Sequence, residues 1–162
     1  MRRRSIRTRG VRALALLVAT AGGIGYAPVA PGTWGSLVVV PFFPWLGALH
    51  ERSVAGHLAL VAVVIAVGIW AAGRADAIFG EHDHGCIVVD EVSGMLVASL
   101  CVPGTWTAAW VVFALFRLFD VWKPFPANRI DRRWPGGLGV VGDDLVAGLY
   151  AGIAGRVLLE VL

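Results

Sequence analysis

Residues 54–72 read VAGHLALVAVVIAVGIWAA. That run comes close to the roughly 20 apolar residues that cross a bilayer as a helix, and His57 near its start reads as interfacial rather than as a ligand. Apolar segments flank it on both sides. Residues 36–49 are interrupted by Pro41 and Pro44, 86–102 carry Asp90 and Glu91, 106–120 are rich in Trp and Phe, and 145–162 close the chain. The whole chain of 162 residues is 57% hydrophobic and 15% charged, with a mean hydropathy of +0.74. Soluble domains average about 45–50% apolar and about 25% charged. The expected fold is therefore all-α: an integral membrane helical bundle with about four to six membrane-embedded helices and a polar site facing the cytoplasm.

The net charge of +3 is unevenly spread. Arg2, Arg3, Arg4, Arg7, Arg9 and Arg12 crowd the N-terminus, so residues 1–12 read as a basic tail and 13–162 as a single membrane-embedded domain. The first ten residues are expected to stay unstructured until they meet lipid. Basic residues followed by ALALLVATA (13–21) also resemble a secretory signal. The preferred reading is a retained interfacial or half-inserted helix, because the next stretch, YAPVAPGTWGS (26–36), looks functional. No basic helix face with interleaved stacking aromatics is present, which argues against nucleic acid; anionic lipid headgroups are the better partner. Cys86 and Cys101 sit in apolar surroundings without a CxxC pairing and read as small buried hydrophobes.

With the basic N-terminus inside, the segment 13–25 returns without crossing and five apolar segments alternate in direction. The loops 26–35, 73–85 and 121–144 then share the cytoplasmic face. That face collects Arg74, Lys123, Arg129, Arg132 and Arg133, against Arg52 outside.

The chemistry is concentrated in RLFDVWKPFPANRIDRRWPGGLGVVGDD (117–144). Charge is costly beside hydrocarbon, so such a cluster needs a reason. Asp90 and Glu91 lie inside an apolar helix, and buried carboxylates need a cation, donors or a proton. Asp120, Asp143 and Asp144 add carboxylates on the same side, and Asp83 joins them if its helix starts early enough. Hard oxygen ligands without a cysteine cluster favour Mg²⁺ over zinc; His82-Asp83-His84 is a weak zinc pattern. The metal ligands expected are thus Asp83, Asp90, Glu91, Asp120, Asp143 and Asp144.

Arg117, Asp120 and Lys123 fall on one helical stripe that Pro124 ends. A plain Arg117–Asp120 ion pair competes with a reading in which Asp120 holds metal while Arg117 and Lys123 bind phosphate. Arg129, Arg132 and Arg133 suit headgroup contacts, with Arg129 also a candidate phosphate contact, and Asp131 suits a pair with one of these arginines. Thr33 and Ser36 either cap the helix after Gly35 or bind phosphate beside its bare N–H groups. Gly136 to Gly139 either let the backbone approach a phosphate or simply turn the chain. Asp143 and Asp144 read as a helix start. No Ser-His-Asp or Cys-His set appears, whereas acids, bases and Mg²⁺ together suit phosphoryl transfer.

The blocks APGTWGS (30–36), HDHGCIVVDEVSGM (82–95) and FRLFDVWKPFPANRIDRRWPGGLGVVGDDLVAG (116–148) closely resemble the bacterial phosphatidylglycerophosphatase A family, in its order and spacing. The resemblance implies a Mg²⁺-dependent phosphoric monoester hydrolase of the inner membrane. It would convert phosphatidylglycerophosphate to phosphatidylglycerol and inorganic phosphate, in phospholipid biosynthesis. By motif position it carries over Asp83, Asp90, Glu91, Asp120, Lys123, Asp143 and Asp144, the first-loop residues Pro31, Gly32, Thr33, Gly35 and Ser36, and also Arg117 and Asp131. The arginine-rich tail lies outside the pattern. The expected catalytic set is Asp90, Glu91, Asp120, Lys123, Asp143 and Asp144, with Thr33, Ser36, Arg117, Lys123 and Arg129 toward the phosphate. A lipid phosphotransferase acting on another phospholipid and a small cation transporter are the alternatives. A homo-oligomer is compatible with the sequence.

Overall fold

The computed structural model describes residues 2–161, with side chains from residue 9 onward. Among these residues there are eight α-helices, two 3-10 turns and no strand. The α-helices are α1 (Arg2–Ala19), α2 (Pro31–Val39), α3 (Phe43–Arg52), α4 (Val54–Phe79), α5 (Val89–Ser99), α6 (Trp106–Trp122), α7 (Ala127–Arg133) and α8 (Gly137–Val161).

The caps explain most boundaries. Ser53 accepts a hydrogen bond from the Gly56 N–H at 3.0 Å and starts α4, and Gly80, at φ 74, ends it. Both are the residue types those positions favour. Thr105 caps α6 by accepting from the Ala108 N–H at 3.1 Å. Pro124 stops α6 where expected, leaving Lys123 in the left-handed region at φ 47. Pro41 falls in a 3-10 turn, Val40–Phe42, between α2 and α3.

Two helical stretches are long and apolar enough to cross a membrane: Pro31–Arg52, of 22 residues with mean hydropathy 1.3, and Val54–Phe79, of 26 residues with mean hydropathy 2.3. At 1.5 Å per residue α4 reaches about 39 Å, more than the roughly 30 Å of a hydrocarbon core. By contrast, α5 has 11 residues and spans only about 16 Å. It is wrapped by protein, with Ser93, Gly94, Met95 and Ala98 fully buried.

Helix α8 packs against α4, α5, α6 and α7. Its small residues set the α5 crossing: a Cβ on Gly148 would run into the Gly94 carbonyl, and one on Gly152 into Ala98 and Cys101. The larger core joins Phe43, Leu46, Met95, Val112 and Phe116. A second, alanine-rich core of Ala19, Ala71, Ala72, Ala75, Ile87 and Val141 holds the ends of α1, α4 and α8 together.

Three boundaries differ from the sequence reading. α1 is helical from Arg2, without a break at residue 12, because arginine is a good helix former and no proline interrupts the run. α2 starts at Pro31 rather than after Gly35, since proline is suited to the first helical position. α8 starts at Gly137, so Asp143 and Asp144 lie beyond its first turn and the dipole at a helix start does not explain them.

Candidate active site

The three polar stretches meet at one end of the bundle. There a cavity of about 260 Å³ is walled by Ala30, Pro31 and Gly32 of the α2 start, Asp83, Gly85 and Ile87 of the 80–88 loop, Asp90 and Glu91 of α5, Arg117 and Asp120 of α6, Lys123, and Asp143 and Asp144 of α8. Six carboxylates face two cations. Asp90, Asp143 and Asp144 are buried, with 7%, 5% and 3% of their surface exposed.

The carboxylates fall into two groups. Asp90, Glu91 and Asp144 each place an oxygen within 4.8 Å of the others. Asp120 and Asp143 are paired instead: Arg117 Nη1 lies 2.6 Å from Asp120 Oδ2, and Lys123 Nζ lies 2.8 Å from Asp143 Oδ2. Arg117 also approaches Glu91 at 3.8 Å. Two cavity groups are buried without a hydrogen-bond partner, the Glu91 Oε2 acceptor and the Arg117 Nη1 donor. The Arg117–Asp120 contact is thus close in charge but not directed as a hydrogen bond. An orphaned acceptor beside two more carboxylates calls for a cation, and an orphaned guanidinium N–H calls for an anion.

Lys123 emerges from the end of α6 and is held on two sides, donating to Asp131 at 3.0 Å and meeting Asp143 at 2.8 Å. Burial works against its charge, but the hydrogen bonds and charges of Asp143 and Asp131 prevail and raise its pKa above the usual lysine value. Asp131 therefore pairs with Lys123, not with Arg129, Arg132 or Arg133. The proline-rich turn after Lys123 folds α7 back over it, a three-dimensional reversal that spacing alone does not reveal. Asp83 reaches the cavity from the loop at φ 54 rather than from an extended α5. Burial raises its pKa, partly opposed by the Lys123 charge.

Glycine explains the APGTWGS block. A Cβ on Gly32 would collide with Glu91 Oε1, and one on Gly35 with Val88. α2 therefore lies tight against α5 and props Glu91. The Ser36 hydroxyl is buried and donates to the Gly32 carbonyl at 2.9 Å inside its own helix. Neither Ser36 nor Thr33 lines the cavity. Arg129 lies outside it too, its guanidinium 4.8 Å from the centre of the Phe125 ring. Of the glycines after Trp134, Gly136 turns the chain at φ 61, whereas the next two serve packing: a Cβ on Gly137 would strike the Ile69 carbonyl of α4, and one on Gly139 the Trp134 carbonyl. His82 is bound to Asp76 at 2.8 Å and His84 stacks on Phe79, so the two do not converge on a metal.

A family model described as Phosphatidylglycerophosphatase A matches residues 17–159. The chain is 38% identical over 138 residues to Phosphatidylglycerophosphatase A of Escherichia coli, covering 83% of this chain and 77% of that protein. It is 37% identical over 136 residues to Phosphatidylglycerophosphatase A of Haemophilus influenzae, covering 83% and 82%. It is also 37% identical over 148 residues to the Bacteroides thetaiotaomicron protein named "Putative phosphatidylinositol-3-phosphatase", covering 85% and 89%. No solved structure matches the chain.

Proposed function

The chain belongs to the phosphatidylglycerophosphatase A family, and from that premise we propose that it is a lipid phosphatase that hydrolyses the terminal phosphomonoester of phosphatidylglycerophosphate, releasing phosphatidylglycerol and inorganic phosphate. The observation that carries the reading is the pair of orphans in one cavity, a carboxylate oxygen and a guanidinium N–H. A phosphate bound with a divalent cation satisfies both.

Mg²⁺ fits the donor set, which is all oxygen. Asp90, Glu91 and Asp144 would hold it, with Asp83, Asp120 and Asp143 within the same walls. When bound, a divalent ion neutralises phosphate charge and lowers the pKa of water. The chain's own residues do the rest. Arg117 presents an unused N–H to a phosphate oxygen, and Asp120 fixes its charged end. Lys123 offers a point charge whose direction Asp143 and Asp131 set. Such positioning and charge neutralisation make up most of phosphoryl-transfer catalysis. A cavity carboxylate serves as base toward water or as phosphoryl acceptor. Phosphate release without added alcohol distinguishes hydrolysis from transfer to an alcohol.

The site end of the bundle faces the cytoplasm of a bacterial inner membrane, with four to six helices embedded. Arg74, Lys123, Arg129, Arg132 and Arg133 gather at this end, in keeping with the positive-inside rule. Purified protein given phosphatidylglycerophosphate in detergent tests the function: Mg²⁺-dependent phosphate release supports it, and none under any divalent ion overturns it. The Bacteroides relative favours a second substrate class, so a phosphatidylinositol 3-phosphate arm belongs in the same assay.

A further inference from the structure

Helix α7 has two faces of opposite character. Ala127 is buried, Ile130 packs where Gly142 of α8 leaves room, and Asp131 is tied inward to Lys123 at 3.0 Å. Arg129, Arg132 and Arg133, spaced i, i+3 and i+4, share the other face. All three are exposed, and among the described residues none forms an ion pair. Because Lys123 neutralises the sole acid of α7 from within, the outer face is left wholly cationic. Exposed aromatic rings flank α7 along the chain: Phe125, 61% exposed and with the Arg129 guanidinium 4.8 Å from its centre, Trp122 at 69% and Trp134 at 49%. Arginine with exposed aromatics at the polar end of an apolar bundle matches the headgroup layer of a membrane, where Trp concentrates and guanidinium binds phosphate in bidentate fashion.

We propose that the outer face of α7 is a docking surface for the anionic phospholipid headgroups of the surrounding leaflet, separate from the cavity that takes the scissile phosphate. This deepens the lipid-phosphatase reading and rests on it for the bilayer substrate. The Lys123–Asp131 contact joins the surface to the cavity wall, so headgroups gathered on α7 lie at the substrate's approach. Each basic residue near an anionic surface contributes roughly a fivefold preference.

The test uses the full-length protein incubated with vesicles of equal phosphatidylcholine and phosphatidylserine, re-isolated in mild detergent, with the retained lipids counted. Wild type is expected to retain phosphatidylserine over phosphatidylcholine by at least about fivefold. R132Q/R133Q should fall toward parity, while R132K/R133K keeps most of the preference. R132Q/R133Q should still release phosphate from a short-chain, monodisperse phosphatidylglycerophosphate as wild type does, which shows that it is folded. Raising sodium chloride to about 0.5 M should abolish the wild-type preference, an arm that holds even if the double variant does not fold. A preference absent in wild type, unchanged in R132Q/R133Q or indifferent to salt overturns the proposal, and an absent preference points to an acidic protein segment as the occupant. Phosphatidylserine retention without phosphatase activity removes the lipid-phosphatase reading alone; phosphatase activity without retention removes the docking surface alone.

Discussion

Asp90, Glu91 and Asp144 each hold a carboxylate oxygen within 4.8 Å of the others, and among the described residues their only ion-pair contact is Arg117, 3.8 Å from Glu91. Replacing any one by its amide removes a charge but little volume, so the effect reads on chemistry rather than packing. Asp90→Asn, Glu91→Gln and Asp144→Asn should each lower kcat at least about 100-fold, the scale for losing one preorganised electrostatic group, as measured by phosphate release at saturating Mg²⁺. Near-normal turnover in any of them removes that residue from the site. Gly32→Ala is the complementary change: its methyl would displace Glu91, and activity should fall about tenfold or more while the protein stays folded. That glycine stood in the sequence beside Thr33 and Ser36, and the hydroxyls drew the chemical reading. Sequence pattern favours groups with reactive atoms, whereas a glycine's contribution is room for a neighbour that only folding brings near. The acids were legible because a charge in an apolar run is conspicuous. Their division into a clustered trio, met only by Arg117 at 3.8 Å from Glu91, and the closely ion-paired Asp120 and Asp143 depends on rotamers and helix crossings that no spacing encodes.

At the scale of elements, the site depends on how α5 crosses α8, through Gly94 and Gly148. A Cβ on Gly94 would meet the Phe116 ring and the Asp144 carbonyl. Gly94→Ala should therefore cost about 1–3 kcal/mol, the usual range for an overpacked core, read as a lower midpoint of thermal unfolding in detergent. It should also impair turnover by shifting Asp144, and an unchanged midpoint would contradict this packing. The long helices were legible from their apolar runs, and the end of α6 from Pro124, whereas the caps Ser53, Gly80 and Thr105 emerged only with the fold. α5 was not legible as a short, protein-wrapped helix, because a buried helix and a spanning one look alike in hydropathy. Nor was the early start of α8: three glycines within four residues signal a turn, and Gly136 makes one at φ 61, yet Gly137 and Gly139 already lie in the helix and accommodate close contacts with Ile69 and Trp134.

For the molecule as a whole, the polar cavity lies at one end of α4 and the Arg52–Ser53 turn at the other, about 39 Å apart along the helix. A protein carrying Glu81→Cys should be labelled by an impermeant thiol reagent only after intact cells are opened, and one carrying Glu51→Cys before, with Cys86 and Cys101 replaced by Ser in both. The reverse pattern would place the cavity outside the cytoplasm. The central claim is that this cavity joins a divalent cation to a lipid phosphomonoester. It is tested most directly by inorganic phosphate released from phosphatidylglycerophosphate by the purified chain as Mg²⁺ is titrated, beside Asp144→Asn. We predict release that is absent in chelator, saturates with Mg²⁺ and is nearly lost in Asp144→Asn; full release in chelator, or an Asp144→Asn protein as active as wild type, would contradict it.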